Sequence, residues 1–157
     1  VALRPWGSAF FNLVKDHAEV FTQLPAAVHR GAVEAYIQTA SHRGLTPAEL
    51  EMLVSPWLEA GQSAFYRQIA QADERYTQEV EDRLDAIYEP VHIIWGTEDT
   101  WIPADRARRL HELIPHSTLT EVDDAGHIIQ LDAPNQLSAD LTDWLSRTEH
   151  RAGPHEK

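Results

Sequence analysis

Two side chains in the second half of this chain could do proton chemistry together: the carboxylate of Asp99 and the imidazole of His127. Asp99 lies four residues past Trp95, beyond an apolar run over 91–95 and the turn residue Gly96. His127 lies five residues past Val122, where a second strand-like run ends, and directly follows Gly126. In open parallel sheets, function collects beyond the carboxyl ends of the strands. The spacing therefore predicts both residues on one edge of a sheet, within hydrogen-bond reach. A carboxylate on one imidazole nitrogen fixes the tautomer and leaves the other nitrogen to take a proton from a nucleophile or water. Acid before histidine is one chain order of a hydrolytic triad, with the nucleophile upstream of both. Read singly, the same residues also fit a turn or cap carboxylate and a surface-loop histidine.

The elements that must position the pair follow from a change of period at Pro90. Upstream, from Ser8 to about Ile87, the pattern is helical throughout, and we read four or five packed helices. Phe10, Val14, Ala18 and Phe21 recur at helical spacing, and Pro25 opens a helix in which Val28, Ala32, Ala35 and Tyr36 share a face. Thr46-Pro47-Ala48-Glu49 is a helix start with a capping box, and the helix it opens buries Leu50, Leu53, Val54, Trp57 and Leu58. Pro56 should kink or end it. Phe65, Ile69, Ala72, Tyr76, Val80 and Leu84 mark one long helix or two short ones. Downstream, residues 91–95 read as a strand buried on both faces. Ala107, Leu110, His111 and Ile114 give a helix, and 117–122 a second strand. A strand, a helix of about ten residues and a strand make a right-handed βαβ unit with parallel strands. Pro134 opens a last helix whose Leu137, Leu141, Trp144 and Leu145 face the sheet.

The composition narrows the function classes. A chain of 157 residues, 43% apolar and 24% charged, suits one soluble globular domain. With 13 basic and 25 acidic residues its net charge is −12, which repels phosphate backbones and anionic lipid. Nucleic acid and membrane are therefore not expected partners, and no apolar run reaches the roughly 18 residues of a membrane helix. With no cysteine there is no disulfide, thiolate metal site or cysteine nucleophile. His17, His29 and His42 lack a two-ligand spacing on one helical face, so no metal is expected. The cytoplasm is the default location.

Taken together, Trp95-Gly96-Thr97-Glu98-Asp99-Thr100-Trp101-Ile102-Pro103, Leu113-Ile114-Pro115, Ala125-Gly126-His127, Asp132-Ala133-Pro134 and Trp144-Leu145 resemble the C-terminal third of an α/β-hydrolase. That family carries here a strand ending W-G-x-x-D-x-x-x-P, a helix ending near a proline, a strand, G-H and a final helix. The resemblance implies an α/β fold, with Asp99 as triad acid and His127 as triad base. It also implies that residues 8–88 are the helical cap that many members insert. Residues 1–7 would then be the end of a core strand and its turn, 89–147 the C-terminal part of the core, and 148–157 a flexible tail. No cofactor is implied.

The nucleophile elbow of that family, G-x-S-x-G or an aspartate-centred variant, does not occur in these residues, nor does a glycine-rich oxyanion loop. Ser8 reads as a helix cap. The first residue is Val1, and about half of a hydrolase core is unaccounted for. The expected substrate is a small, largely apolar ester, with the nucleophile coming from an N-terminal half that acts as partner. The alternatives are an epoxide hydrolase or haloalkane dehalogenase with an aspartate nucleophile, and a non-catalytic fragment or half of a two-chain assembly. On this reading the isolated chain is of low stability and inactive. Trp101, beside the acid, and Tyr66, in the cap, are candidate substrate contacts. Trp95, Tyr36 and Tyr76 also fit packing roles, and Asp123 and Asp124 read as solvated.

Overall fold

The computed structural model describes residues 9–152. The expected strand end and turn over 1–7, the Ser8 cap and the last residues of the tail lie outside them. The described chain divides by secondary structure as the change of period predicts. Five helices come first: α1 (Ala9–Phe21), α2 (Ala26–Gln38), α3 (Pro47–Val54), α4 (Gly61–Ala70) and α5 (Glu74–Glu81). Then follow β1 (Val91–Gly96), α6 (Asp105–Leu113), β2 (Ser117–Val122), the single turn α7 (Ile129–Asp132) and α8 (Pro134–Ala152). The strands are parallel and in register from Val91 opposite Ser117 to Gly96 opposite Val122.

Each half closes its own core. Val14, Val33, Ile37, Val54, Phe65, Tyr66 and Ile69 bury one another in the helical half, where α1 packs on α4 and α2 on α3. Leu84, Ile93, Ala107, Leu110 and Ile114 form the second cluster under α6. Each fully buried aliphatic or aromatic side chain contributes about 1.5–3 kcal/mol, so both halves have a packing reason to hold their shape.

Local signals account for several boundaries. Pro25 precedes α2. The Thr46 hydroxyl accepts from the Glu49 N–H while the Glu49 carboxylate accepts from the Thr46 N–H, which completes the capping box of α3. Beyond Val54 the α3 helix tightens into a single 3₁₀ turn at Ser55–Trp57, where Pro56 cannot donate. The Arg43 guanidinium grips Glu49. With the Thr46 groups it holds the Glu49 carboxyl down at about 2 from its ordinary 4.5. A lowered carboxyl stabilises the fold above its unfolded value and loses that contribution as pH falls through the folded one. The stability difference between the chain and its Glu49→Gln variant should therefore be full above pH 4.5 and vanish near pH 2, as read from urea midpoints.

Four periodicity readings are corrected. In α2 the buried stripe is His29, Val33 and Ile37, whereas Val28 is exposed. A histidine counts as polar in a periodic pattern, yet here both of its ring nitrogens are satisfied inside the core, which rotates the buried face. In the 65–84 stretch the two-helix alternative holds, with Asp73 capping the second helix by accepting from the Arg75 N–H, but the buried stripe does not continue through it. That break leaves Tyr76 and Val80 exposed. In β1 only Ile93 and Gly96 are fully buried, because β1 pairs with β2 alone among the described residues. In α8 the exposed Leu141 and Leu145 do not cover the sheet; Trp144 does, stacked on His92 of β1 with ring centres 5.6 Å apart.

Candidate active site

The strand pairing continues past the ends of β1 and β2. The Thr97 N–H donates to the Val122 carbonyl at 3.0 Å, and the Glu98 N–H to the Ala125 carbonyl at 2.9 Å. These two bonds lay the loop 97–102 beside the loop 123–128. They also bring the chains so close at Gly96 that a Cβ there would stand 2.2 Å from the Ala125 carbonyl oxygen.

Asp99, His127 and Trp101 meet where these loops lie side by side. Asp99 is buried, and its Oδ1 accepts the backbone N–H groups of Trp101 and Ile102, both at 2.9 Å. Its Oδ2 lies 2.9 Å from His127 Nδ1. A carboxyl whose first oxygen already takes two donors is complementary as a carboxylate, which accepts only, so Nδ1 carries the proton and Nε2 has its lone pair open. Nε2 has no partner among the described residues, and the His127 side chain is 31% exposed against 4% for Asp99. The acid is thus dry and fixed, while the imidazole is reachable.

Trp101 is brought to the same place. Its ring tilts against that of His127 with centres 4.8 Å apart and stacks on Tyr36 at 4.2 Å. Its indole N–H donates to the Thr39 hydroxyl at 2.8 Å, and the Thr100 hydroxyl donates to the Thr39 carbonyl at 2.9 Å. The end of α2 therefore packs directly on the loop that carries the acid. Burial pushes the Tyr36 hydroxyl pKa up, which keeps it a neutral platform for the indole.

Tyr66 is not brought to the site. It is fully buried in the helical core, with its hydroxyl 2.9 Å from His29 Nδ1. His29 Nε2 faces the Trp57 carbonyl at 2.9 Å, which can only accept. Nε2 therefore donates, Nδ1 accepts, and the Tyr66 hydroxyl donates to it. Tyr66→Phe should cost about 1–3 kcal/mol, because it leaves a buried nitrogen unmatched. It should leave KM unchanged in any activity this fold supports, and denaturant unfolding beside steady-state kinetics checks both halves of that statement.

The loop carrying His127 is also anchored on its far side, through a residue that the sequence reading quotes but gives no role. Asp132 Oδ2 accepts the N–H of Gly126 at 2.7 Å and that of His42 at 2.8 Å, and its Oδ1 accepts the Ser41 hydroxyl. Burial alone would raise the Asp132 carboxyl, but these bonds, with Arg43 beyond them, outweigh it and hold the pKa below the ordinary carboxylate value. No local pattern could have signalled a contact between residues 91 apart. Among the described residues no group of three metal-ligating side chains could hold a metal ion, and no helix is long and apolar enough to cross a membrane.

Comparison with known proteins bears on the fold. Residues 6–134 match the family model for the alpha/beta hydrolase fold. A crystal structure of an alpha/beta hydrolase fold protein from Burkholderia ambifaria superposes with a TM-score of 0.86 at 42% identity, over 91% of this chain and 53% of that one. The (E)-2-((N-methylformamido)methylene)succinate hydrolase of Acinetobacter baylyi is 26% identical over 144 residues, 85% of this chain and 52% of that protein. An uncharacterized hydrolase of Bacillus subtilis, YugF, is 30% identical over 64 residues, 41% of this chain and 23% of that protein. A thermophilic esterase from Thermogutta terrifontis shares the fold at 20% identity, with a TM-score of 0.66 over 92% of this chain. The chain spans about a quarter to a half of the length of these curated relatives. On the family match and the shared fold, the chain belongs to the α/β-hydrolase family.

Proposed function

We propose that this chain supplies the acid and the base of a hydrolase triad acting on a small, largely apolar ester, with Asp99 orienting His127 as general base. The observation that carries this is the His127 ring, pinned through Nδ1 to a buried carboxylate while Nε2 stays open. No hydroxyl among the described residues is hydrogen-bonded to His127, so in this reading the nucleophile comes from the part of the fold outside these residues. Helices α1–α5 act as the cap, and Trp101 and Tyr36 form an aromatic wall beside the base.

The steps then balance simply. The nucleophile oxygen bonds to the ester carbonyl carbon as its proton passes to Nε2. The same proton moves from Nε2 to the leaving alkoxide as the ester C–O bond breaks. Water then attacks the acyl carbon and gives its proton to Nε2, which passes it to the nucleophile oxygen as the bond between that oxygen and the acyl carbon breaks and the acid leaves. Throughout, Asp99 stabilises the imidazolium without taking its proton. Two of the structural neighbours are esterases, which motivates the choice of an ester as the first substrate to test.

The test is p-nitrophenyl acetate hydrolysis by the complete hydrolase that contains these residues. His127→Ala should lower kcat by roughly 10⁶-fold. Retention of more than about a tenth of the activity would sink the proposal. A single turnover in ¹⁸O-water separates the nucleophiles: an aspartate becomes labelled, a serine does not.

A further inference from the structure

We propose that Asp132 is a positioning residue for His127: its buried carboxylate holds the Ala125–Gly126 peptide, one residue before the base, against the end of α2, so that the base is seated only when the helical half is docked. This rests on the reading of His127 as general base.

Three features support it. The carboxylate ties together two segments far apart in sequence, accepting from Gly126 N–H on the histidine loop and from His42 N–H and the Ser41 hydroxyl beyond α2. The contact is also shaped to admit nothing else. A Cβ at Gly126 would stand 2.7 Å from the Ala40 carbonyl oxygen and 2.9 Å from the His42 nitrogen. Finally, the contact is reinforced on both sides. The Ile128 N–H donates to the Ala40 carbonyl at 3.2 Å, and the Arg43 guanidinium spans from Glu49 to the Leu131 carbonyl at 3.0 Å. The Ala125–Gly126 peptide, one residue before His127, thus has its N–H direction set by Asp132, while the ring is held by Asp99. Two buried carboxylates, one from each side, fix one imidazole. A loop released on one side lets the ring wander by an ångström, and a misplacement of that size costs on the order of 10²-fold in rate.

The experiment compares Asp132→Ala, Asp132→Asn and Ser41→Ala in the complete hydrolase with p-nitrophenyl acetate, with kcat expressed per folded molecule. Asp132→Ala should lower kcat by about 10- to 100-fold with KM within about twofold. The Gly126 amide proton should move upfield and exchange faster. Asp132→Asn should restore most of kcat, because its carbonyl can accept both N–H groups while its amide donates to the Ser41 hydroxyl. If Asp132→Ala does not fold, Ser41→Ala decides, with an expected fall in kcat of about threefold at unchanged KM. An unchanged kcat in folded Asp132→Ala, or in Ser41→Ala where the first is unfolded, overturns the proposal, even if the melting temperature drops. A His127→Ala enzyme that stays active is a different result, since it removes the triad reading itself.

Discussion

Asp99→Asn should lower kcat by about four orders of magnitude while leaving the fold and KM almost untouched. The substitution keeps the shape of the side chain, and its carbonyl oxygen can still accept the N–H groups of Trp101 and Ile102. The amide nitrogen then faces His127 Nδ1, where Oδ2 now stands at 2.9 Å. A donor in that place forces Nδ1 to accept, so the ring proton moves to Nε2. The geometry survives and the base is gone, because the nitrogen meant to take the nucleophile's proton already holds one. The tautomer can be read independently of turnover. Long-range ¹H–¹⁵N correlation of the His127 ring should show an Nδ1–H imidazole in the native chain and an Nε2–H imidazole in Asp99→Asn. An Nε2–H ring in the native chain would contradict the assignment of donor and acceptor.

Gly96→Ala should destabilise the chain by about 3 kcal/mol. The added Cβ would lie 2.2 Å from the Ala125 carbonyl oxygen and 2.6 Å from that of Gly126. Both are backbone atoms, which cannot swing aside as a side chain would. Relief requires the 97–99 and 122–126 segments to part, and that breaks the Glu98 N–H to Ala125 bond and draws Asp99 away from His127. The same substitution at Gly31 is the control. Nothing lies within 4 Å of a Cβ there, in the middle of α2, so Gly31→Ala should stabilise by roughly 0.5–1 kcal/mol through the lower entropy of the unfolded chain. Urea unfolding of the two variants should therefore move in opposite directions. A Gly96→Ala midpoint equal to that of the native chain would show that the loops are not held against each other as described.

Much of the placement of Asp99 and His127 was readable because it depends on short-range rules. A run of apolar residues makes a strand, a glycine lets the chain leave it sharply, and a helix between two strands sets them parallel, so the residues just past each strand share an edge. The capping box at Thr46 and the 3₁₀ turn at Pro56 are local in the same sense, and the sequence by itself determined them along with the α/β class. The buried face of α2, the burial of Tyr66 and the roles of Thr39 and Asp132 were decided by tertiary structure alone. His29 reads as polar until Tyr66 and Trp57, 37 and 28 residues away, satisfy both of its nitrogens and make it a core residue. Asp132 reads as one more acidic residue before a proline until Ser41, His42 and Gly126 converge on it. Period and spacing record what each residue does within its own element. The hydrogen-bond partners of a buried polar group come from wherever the fold brings the chain, and that information is carried by no window of neighbouring residues.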